Sequence, residues 1–202
     1  MSFVSRNHPQ QVAVRGALDD VDDRRTPPDL LAECMELARV DAFDIDVAAN
    51  DQNAVAPDLY DIELNGLERI WYGRVWCNPP YSDLRPWVEK AQREAEIGRC
   101  NDIAMLLPAN RTEQAWWQDI IEPARRRGAL AVYFLRGRRR FDRPGWTAPT
   151  KGDRPPFGLC LVVWRKRRRA DPLPVNWLED DLPDVFTAIA RGDINPQGSD
   201  ER

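Results

Sequence analysis

The segment GRVWCNPPYSD (residues 73–83) decides the fold, because it passes from an apolar strand into a rigid polar turn within a few positions. Its first six residues predict a buried β-strand, and the two consecutive prolines end that strand because they cannot donate to a ladder. The residues that follow, DLRPWVEKAQREAEIG (83–98), predict a helix with Asp83 as its N-cap and Gly98 at its end. A strand, a short turn and a helix in this order are typical of an α/β sheet.

Strands and helices alternate on both sides of this segment. The stretch TPPDLLAECMELAR (26–39) predicts a helix for which Thr26 can serve as the cap, and residues 50–72 predict loops with one short helix. Pro123 should kink or end the helix predicted at 112–128. The other predicted strands are 42–49, 102–109, 129–137 and 156–166. This order predicts a doubly wound, mostly parallel sheet, and the short connection between the last two strands makes one strand near the C-terminus antiparallel.

The composition predicts one globular domain with a substantial core. The chain has 202 residues, of which 43% are hydrophobic, and no apolar run is long enough to span a bilayer. Four scattered cysteines without a CxxC pair, together with a single histidine, argue against structural zinc and against a disulfide framework. We therefore expect reduced thiols, a cytoplasmic location and no membrane contact. The predicted organisation is a mobile arm (1–24), one domain (25–169) and an acidic extension (170–202).

The charge is strongly segregated along the chain. Residues 66–169 carry 22 basic and 11 acidic side chains, whereas residues 1–65 carry 5 and 14, and residues 170–202 carry 2 and 8. Arginine outnumbers lysine 26 to 3, and its planar fork suits phosphate oxygens and guanine edges. A basic central segment suggests a polyanionic partner. The alternative is a solvated face on an arginine-rich protein, and composition alone does not decide between the two.

Several kinds of chemistry are excluded by missing residues. The only histidine, His8, lies in the predicted arm, so a Ser-His-Asp or Cys-His site is not expected. Neither a GxxxxGK[ST] loop nor a GxGxxG turn after a strand is present. Asp44 and Asp46 can form an acid pair, but no third ligand is evident and no metal is predicted. The remaining candidate is methyl transfer from a sulfonium, which needs no strong acid, base or metal.

The Asn-Pro-Pro-Tyr turn at residues 78–81 suits that reaction. An exocyclic amine on an aromatic ring is a poor nucleophile, and two oxygen acceptors can draw its nitrogen toward sp³ geometry. The Asn78 side chain and the Pro79 carbonyl can supply these acceptors, and the Tyr81 ring can stack on a flipped base. The alternative is a rigid turn at an ordinary strand exit.

With these residues in place, the sequence resembles the amino-methyltransferases that use S-adenosylmethionine, whose fourth motif is [DNS]-P-P-[YFW]. More narrowly, it is similar to the phage and prophage DNA N6-adenine methyltransferase family. The pieces that carry the resemblance are, in order, TPPDLL, FDIDVAA, NGL, WYGRVWCNPPY, PWVEKA, MLLPANRTEQAWW, FLRGRRRF and PPFGLCLVVW. The resemblance implies a Rossmann-like methyltransferase fold, S-adenosylmethionine as cofactor, and a flipped adenine in double-stranded DNA as the target, in the cytoplasm of a bacterial host.

The resemblance also implies roles for single residues around the cofactor and the base. Asn78, Pro79 and Tyr81 take the target base, and Pro80 completes the catalytic turn beside the cofactor. The residues assigned to the cofactor are Thr26, Pro27, Asp44, Asp46, Val47, Ala48 and Asn65. Thr26 can instead be only a helix cap, and Asp46 only an exposed acid at a strand end. Trp116 and Trp117 are interpreted as packing residues rather than as base stackers.

DNA phosphates are assigned to the arginines at the rim of the site. They are Arg111, Arg136, Arg138, Arg139 and Arg140. For Arg136 and for the arginines at 138–140 the alternative is a solvated loop. The Gly137, Arg138 and Phe141 positions match a GR-x-x-F piece with a conformational or DNA-facing role. With no large recognition domain, the loop 137–156 must read the sequence.

The sequence departs from the family pattern at three points. Arg24 or Arg25 stands where an aromatic residue usually precedes Thr-Pro, and Asn65 stands where an acid usually precedes Gly-Leu. The short spacing from Asp46 to Asn78 predicts a sheet trimmed on that side. Two rival functions stay open: methylation of an RNA base or a protein glutamine, and a catalytically silent nucleic-acid-binding relative.

Overall fold

The structure, a computed structural model, describes residues 25–142 and 157–165. The predicted arm at 1–24 with His8, most of the loop 137–156 and the acidic extension at 170–202 lie outside these residues. Within the described ranges, no helix is both long and apolar enough to cross a bilayer.

Six strands and three α-helices make up the described part of the chain. The helices are α1 (Pro28–Ala38), α2 (Arg85–Ile97) and α3 (Glu122–Arg126), the last preceded by a π-helical turn at Trp117–Ile121. The strands are β1 (Ile45–Asp46), β2 (Asp58–Leu59), β3 (Gly73–Cys77), β4 (Cys100–Pro108), β5 (Leu130–Phe134) and β6 (Leu159–Arg165).

The strands form one sheet in the order β2-β1-β3-β4-β6-β5. Neighbouring strands are parallel from β2 through β4, whereas β6 pairs antiparallel with both β4 and β5. Because β5 and β4 both flank the reversed strand, they run in the same direction. The predicted mixed α/β sheet, with its antiparallel strand near the C-terminus, is therefore confirmed.

Helices cover both faces of the sheet. On one face, Leu30 of α1 packs in a cluster with Leu106 and other alternate residues of the central strands. On the opposite face, Val88 of α2 packs with Met105, and Trp116 and Trp117 are buried in the same cluster. Burial from both sides explains the continuous apolar runs of β4 and β6 and confirms the doubly wound arrangement. The interpretation of the two tryptophans as packing residues agrees with their burial.

Both predicted helix caps are wrong. Pro27 occupies the N-cap position of α1 and Leu84 that of α2, and neither helix has a side-chain cap. The Thr26 hydroxyl instead accepts a hydrogen bond from the Asn78 side chain. Asp83 lies one residue before the N-cap position of α2. The predicted end of α2 is confirmed, since Gly98 has φ +79° and its N–H binds the Glu94 carbonyl.

The predicted helix at 112–128 is shorter and is divided by its proline. Pro123 lies in the first turn of α3, where its missing N–H costs least. The turn before it is π-helical, and the Glu122 N–H reaches back to the Trp117 carbonyl. The wider hydrogen-bond spacing relieves the steric conflict that a proline imposes on a regular helix.

The β1–β2 side of the sheet is reduced, as the spacing predicted. The strand expected at 42–49 contains only two paired residues, and the short helix expected within 50–72 is absent from that described segment. A close backbone contact replaces further strand pairing. A Cβ on Gly66 would lie 2.1 Å from the Val47 carbonyl oxygen, so only glycine allows the turn at 65–66 to lie against the end of β1. Asn65, just before it, adopts φ 54°.

Candidate active site

The candidate residues follow strands that end at the same edge of the sheet. Because β1, β3, β4 and β5 are parallel, their carboxyl ends share one edge, and open α/β sheets bind ligands there. Asp46 ends β1, Asn78 follows β3, Arg111 follows β4 and Arg136 follows β5. β1 and β3 are direct neighbours, with the Val47 N–H donating to the Trp76 carbonyl at 3.0 Å.

Asn78 presents a buried oxygen without a partner. Its side-chain Oδ1 is buried, and no hydrogen-bond partner for it lies among the residues that the structure describes. Its Nδ2 donates to the Thr26 hydroxyl across a long 3.5 Å contact. An unsatisfied buried acceptor costs about 1–3 kcal/mol, so an N–H donor that enters here recovers that free energy. The amide is thus oriented to accept a hydrogen bond from a ligand.

The rest of the Asn-Pro-Pro-Tyr turn is rigid and packed. Pro79 is buried and Pro80 half-buried, and each ring restricts its own φ. The half-buried Tyr81 ring meets Phe141 edge-on, with centroids 6.2 Å apart, and lies 6.0 Å from the Phe157 ring. The turn that carries Asn78 is therefore packed, through Tyr81, against two aromatic rings.

Asp46 is a buried acid at the end of β1. It is 3% exposed, which contradicts the alternative of an exposed strand-end acid. Its carboxyl group accepts hydrogen bonds from the backbone N–H of Val55 at 3.2 Å and of Ala48 at 3.4 Å. Burial raises the pKa of Asp46 to about 7, against the lowering effect of these two hydrogen bonds. Such a carboxyl group is well matched to a cationic ligand, which would favour its ionised form.

Asp44 lies at the other end of β1 and has a different partner. The Arg74 guanidinium binds both of its oxygens, at 2.6 and 3.0 Å, and the Arg74 backbone N–H adds a third bond at 2.8 Å. The side-chain hydrogen bond from Arg74 lowers the pKa of Asp44. The structure thus separates the two acids that the sequence placed together. No group of three or more His, Cys, Asp or Glu suited to a metal occurs within 25–142 and 157–165.

The other residues assigned to the cofactor lie around Asp46 and Asn78. Val47 is buried and Ala48 half-buried, both directly after β1. Asn65 accepts the Leu67 N–H through Oδ1, in the turn whose glycine touches the Val47 carbonyl. Thr26 and Pro27, at the start of α1, reach the site through the contact with Asn78.

The five arginines assigned to DNA differ in their surroundings. Arg136 and Arg138 are exposed, whereas Arg111 and Arg140 are half-buried. Arg139 forms ion pairs with Asp29 at 2.8 Å and with Glu33 at 3.0 Å, both on α1. No local pattern could reveal these pairs, because the partners are more than a hundred positions apart. The backbone bridge between Arg25 and Asp142 was missed for the same reason. The Val55 N–H reaches Asp46 across only nine positions, but through a segment without regular secondary structure, so no periodic pattern indicated the contact.

The sheet and its turn define an α/β protein with a buried amide acceptor and a buried acid at the carboxyl edge of neighbouring parallel strands. The chain belongs to the DNA N-6-adenine-methyltransferase (Dam) family, whose model matches residues 16–178. The family predicted from the motifs is therefore confirmed.

The chain also matches one phage protein and one solved structure. The chain is 40% identical over 84 residues to the DNA N-6-adenine-methyltransferase of Escherichia phage T1, a match that covers 40% of this chain and 34% of the phage protein. The matched part thus spans about a third of the length of that relative. A solved structure of a putative RNA methyltransferase from Pyrococcus horikoshii has a TM-score of 0.45 and 14% identity, and the match covers 71% of this chain and 87% of that one.

Proposed function

We propose that this protein transfers a methyl group from S-adenosylmethionine to N6 of a flipped adenine in double-stranded DNA, in the cytoplasm of a bacterial host. The observation that carries the proposal is the buried Oδ1 of Asn78 at the carboxyl edge of the sheet, which has no hydrogen-bond partner within residues 25–142 and 157–165, while the Nδ2 of the same amide contacts Thr26. Family membership supports the same reaction.

The turn prepares the adenine nitrogen for attack. Asn78 Oδ1 and the Pro79 carbonyl each accept one N–H of the amino group, which localises the nitrogen lone pair and directs it toward the methyl carbon. Each oriented acceptor contributes a few kcal/mol in a site that excludes water. The nitrogen–carbon bond would form as the carbon–sulfur bond breaks, the thioether would leave uncharged, and the nitrogen would release one proton to water.

The cofactor is assigned to the space beside Asp46 and the start of α1. S-adenosylmethionine supplies an activated methyl group on a sulfonium centre. The buried Asp46 carboxyl group would bind the ammonium of its methionine part, and the residues proposed to line it are Thr26, Pro27, Val47, Ala48 and Pro80. Burial of the acid fits this role, because a buried carboxylate is stabilised by a cationic partner. Among the residues that the sequence assigned to the cofactor, Asp44 has the least support from the geometry, because its carboxylate is bound by Arg74.

The flipped base and the duplex need further contacts. The Tyr81 ring, fixed against Phe141, is proposed to stack on the flipped adenine, a contact worth about 1–3 kcal/mol. The exposed Arg136 and Arg138 are proposed to bind DNA phosphates, with Arg111 at the rim after β4.

Methyl transfer is tested with radiolabelled S-adenosylmethionine and a mixture of DNA, RNA and protein acceptors. After digestion, label in N6-methyladenine from DNA is the expected result, and Asn78→Ala is the matched variant that should lose it. Label in an RNA base or in glutamine would show that RNA or protein, rather than DNA, is the substrate. No label in any acceptor would leave a catalytically silent nucleic-acid-binding protein.

A further inference from the structure

Two ion pairs connect the segment after β5 to the first half of α1. Arg139 lies between Asp29 and Glu33, which are one helical turn apart, and its two terminal nitrogens reach one carboxylate each. The side chain is only 25% exposed. The arginine fork is thus occupied by protein carboxylates, whereas Arg138 next to it is exposed.

Two further contacts join the same parts of the chain. Arg25 and Asp142 form an isolated antiparallel bridge, in which each backbone N–H donates to the other residue's carbonyl, at 3.0 and 2.9 Å. The Phe141 side chain is buried in the cluster that contains Leu30 of α1. Residues 139–142 therefore hold the first turn of α1 and the residue before Thr26 together; we call them the clasp.

The clasp pairs with Arg25, the residue directly before Thr26, and Thr26 makes the contact with the Asn78 amide. Thr26 is flanked by Arg25, which the bridge holds, and by Pro27, whose ring restricts φ. Its buried hydroxyl accepts the Asn78 Nδ2, and this leaves Oδ1 for the ligand. If Thr26 shifts, the amide can rotate and present a donor to an amino group that is itself a donor.

We propose that Arg139 is a positioning residue, which holds Thr26 against Asn78 through the clasp, and that it is not a phosphate contact. The proposal rests on the proposed methyl transfer for its kinetic consequences. It changes the assignment of the five arginines to DNA for one of them. Arg139 positions residues of the site, whereas its neighbour Arg138 binds the nucleic acid.

The two roles make opposite predictions for the acids on α1. If Arg139 positions the site, Asp29→Ala/Glu33→Ala slows methyl transfer as Arg139→Ala does, and combining all three substitutions adds no further loss. If Arg139 binds phosphate, removal of the two acids frees its charge and strengthens DNA binding. The rate is measured in a single turnover at saturating DNA and S-adenosylmethionine, and DNA affinity is measured as a function of salt.

For Arg139→Ala we expect a fall of roughly 10- to 100-fold in the single-turnover rate, since small displacements of a reacting group cost this much. The salt slope of DNA binding should stay at the wild-type value. Arg139→Lys, which keeps the charge and one ion pair, should recover part of the rate. Arg127→Ala, which removes an exposed arginine beyond α3 at the opposite edge of the sheet, is the control for loss of a charge.

A measurement independent of activity separates this proposal from the proposed function. In Arg139→Ala, hydrogen exchange at the backbone N–H groups of Arg25 and Asp142 should be faster, while the thermal midpoint stays close to wild type. Unchanged exchange at both positions overturns the clasp, even if the protein methylates no acceptor. A salt slope reduced by about one, with an unchanged rate at saturation, also overturns it and makes Arg139 a phosphate contact.

Discussion

The Asn78 side-chain nitrogen donates to the Thr26 hydroxyl across 3.5 Å, and in this orientation the amide oxygen is left for a ligand. The oxygen, left buried and unpaired among the described residues, is an acceptor directed to the carboxyl edge of the sheet. The contact is long, and catalytic hydrogen bonds of this kind often shorten when the substrate is bound. A rotated amide would present an N–H donor to the target amine, whose own N–H groups need acceptors.

Asn78→Ala should reduce methyl transfer by about 10²- to 10³-fold, because it removes an acceptor that acts on the developing charge. Binding of S-adenosylmethionine, measured by calorimetry, should be nearly unchanged, since Asn78 serves the target base. Asn78→Asp keeps an acceptor oxygen and should retain more activity than the alanine variant. Turnover at the wild-type rate in Asn78→Ala would contradict the mechanism.

Thr26→Val should lower the rate of methyl transfer roughly tenfold, because the Asn78 amide nitrogen loses the hydroxyl that it contacts. The two side chains have nearly the same shape, so packing around this buried position is kept. Thr26→Ser, which retains the hydroxyl, is the matched variant and should stay within a few-fold of wild type. Equal rates for the valine and serine variants would show that the hydroxyl does not orient the amide.

The affinity for S-adenosylmethionine should rise with pH below about 7. The pKa of Asp46 is raised to about 7 by burial, and an ammonium binds only the ionised carboxyl group well. Binding then releases one proton, so the dissociation constant should fall by at most about tenfold per pH unit. Asp46→Asn should bind more weakly and without this slope, as calorimetry at several pH values would show. A parallel slope in both proteins would assign the effect to another group.

The free energy of unfolding of the protein without ligand should fall as pH rises, whereas the affinity for S-adenosylmethionine rises. Between pH 4 and 7 the folded protein holds a proton on Asp46 that the unfolded chain has released, so stability falls as pH rises through this range. The contribution of this one group is at most roughly 4 kcal/mol, at about 1.4 kcal/mol per pKa unit. The free energy of unfolding, measured in urea, should therefore fall toward neutral pH in the wild type but not in Asp46→Asn, so that the variant gains stability relative to the wild type. A constant difference between them would show that Asp46 keeps an ordinary pKa.

Replacement of Arg136 and Arg138 by alanine together should weaken DNA binding and reduce its salt slope by about two, near one for each lost phosphate contact. Both side chains are exposed at the carboxyl edge of the sheet. The matched control is Arg127→Ala, which lies at the opposite edge and should leave the slope unchanged. A normal slope in the double variant would place the DNA on another surface.

Gly66→Ala should destabilise the protein by about 1–3 kcal/mol or more, because the new Cβ would lie 2.1 Å from the Val47 carbonyl oxygen. Any relaxation displaces the end of β1, so S-adenosylmethionine should also bind more weakly. Gly98→Ala is the matched control: φ there is +79° and a Cβ meets no atom within 4 Å, so it should cost only about 1 kcal/mol and spare the site. Equal unfolding midpoints for the two variants would contradict the close contact.

The sequence by itself determined the features that depend on neighbours a few positions apart. Apolar runs predicted the strands that become β3, β4 and β6, and the prolines after Cys77 marked where β3 ends. The short spacing to Asn78 predicted the reduced β1–β2 side, since few residues were left for strands there. The turn at 78–81 could be assigned to chemistry because its residues are contiguous.

Only the tertiary structure decided how distant residues are used. The Thr26 hydroxyl and Arg139 have partners 52 and 110 positions away, and no local pattern revealed either contact. The raised pKa of Asp46 depends on burial by the folded chain, whereas Asp44, two residues earlier, meets Arg74 and has its pKa lowered. Hydrogen bonds and burial act through space at a few ångströms, and which residues come that close is known only when the chain is folded.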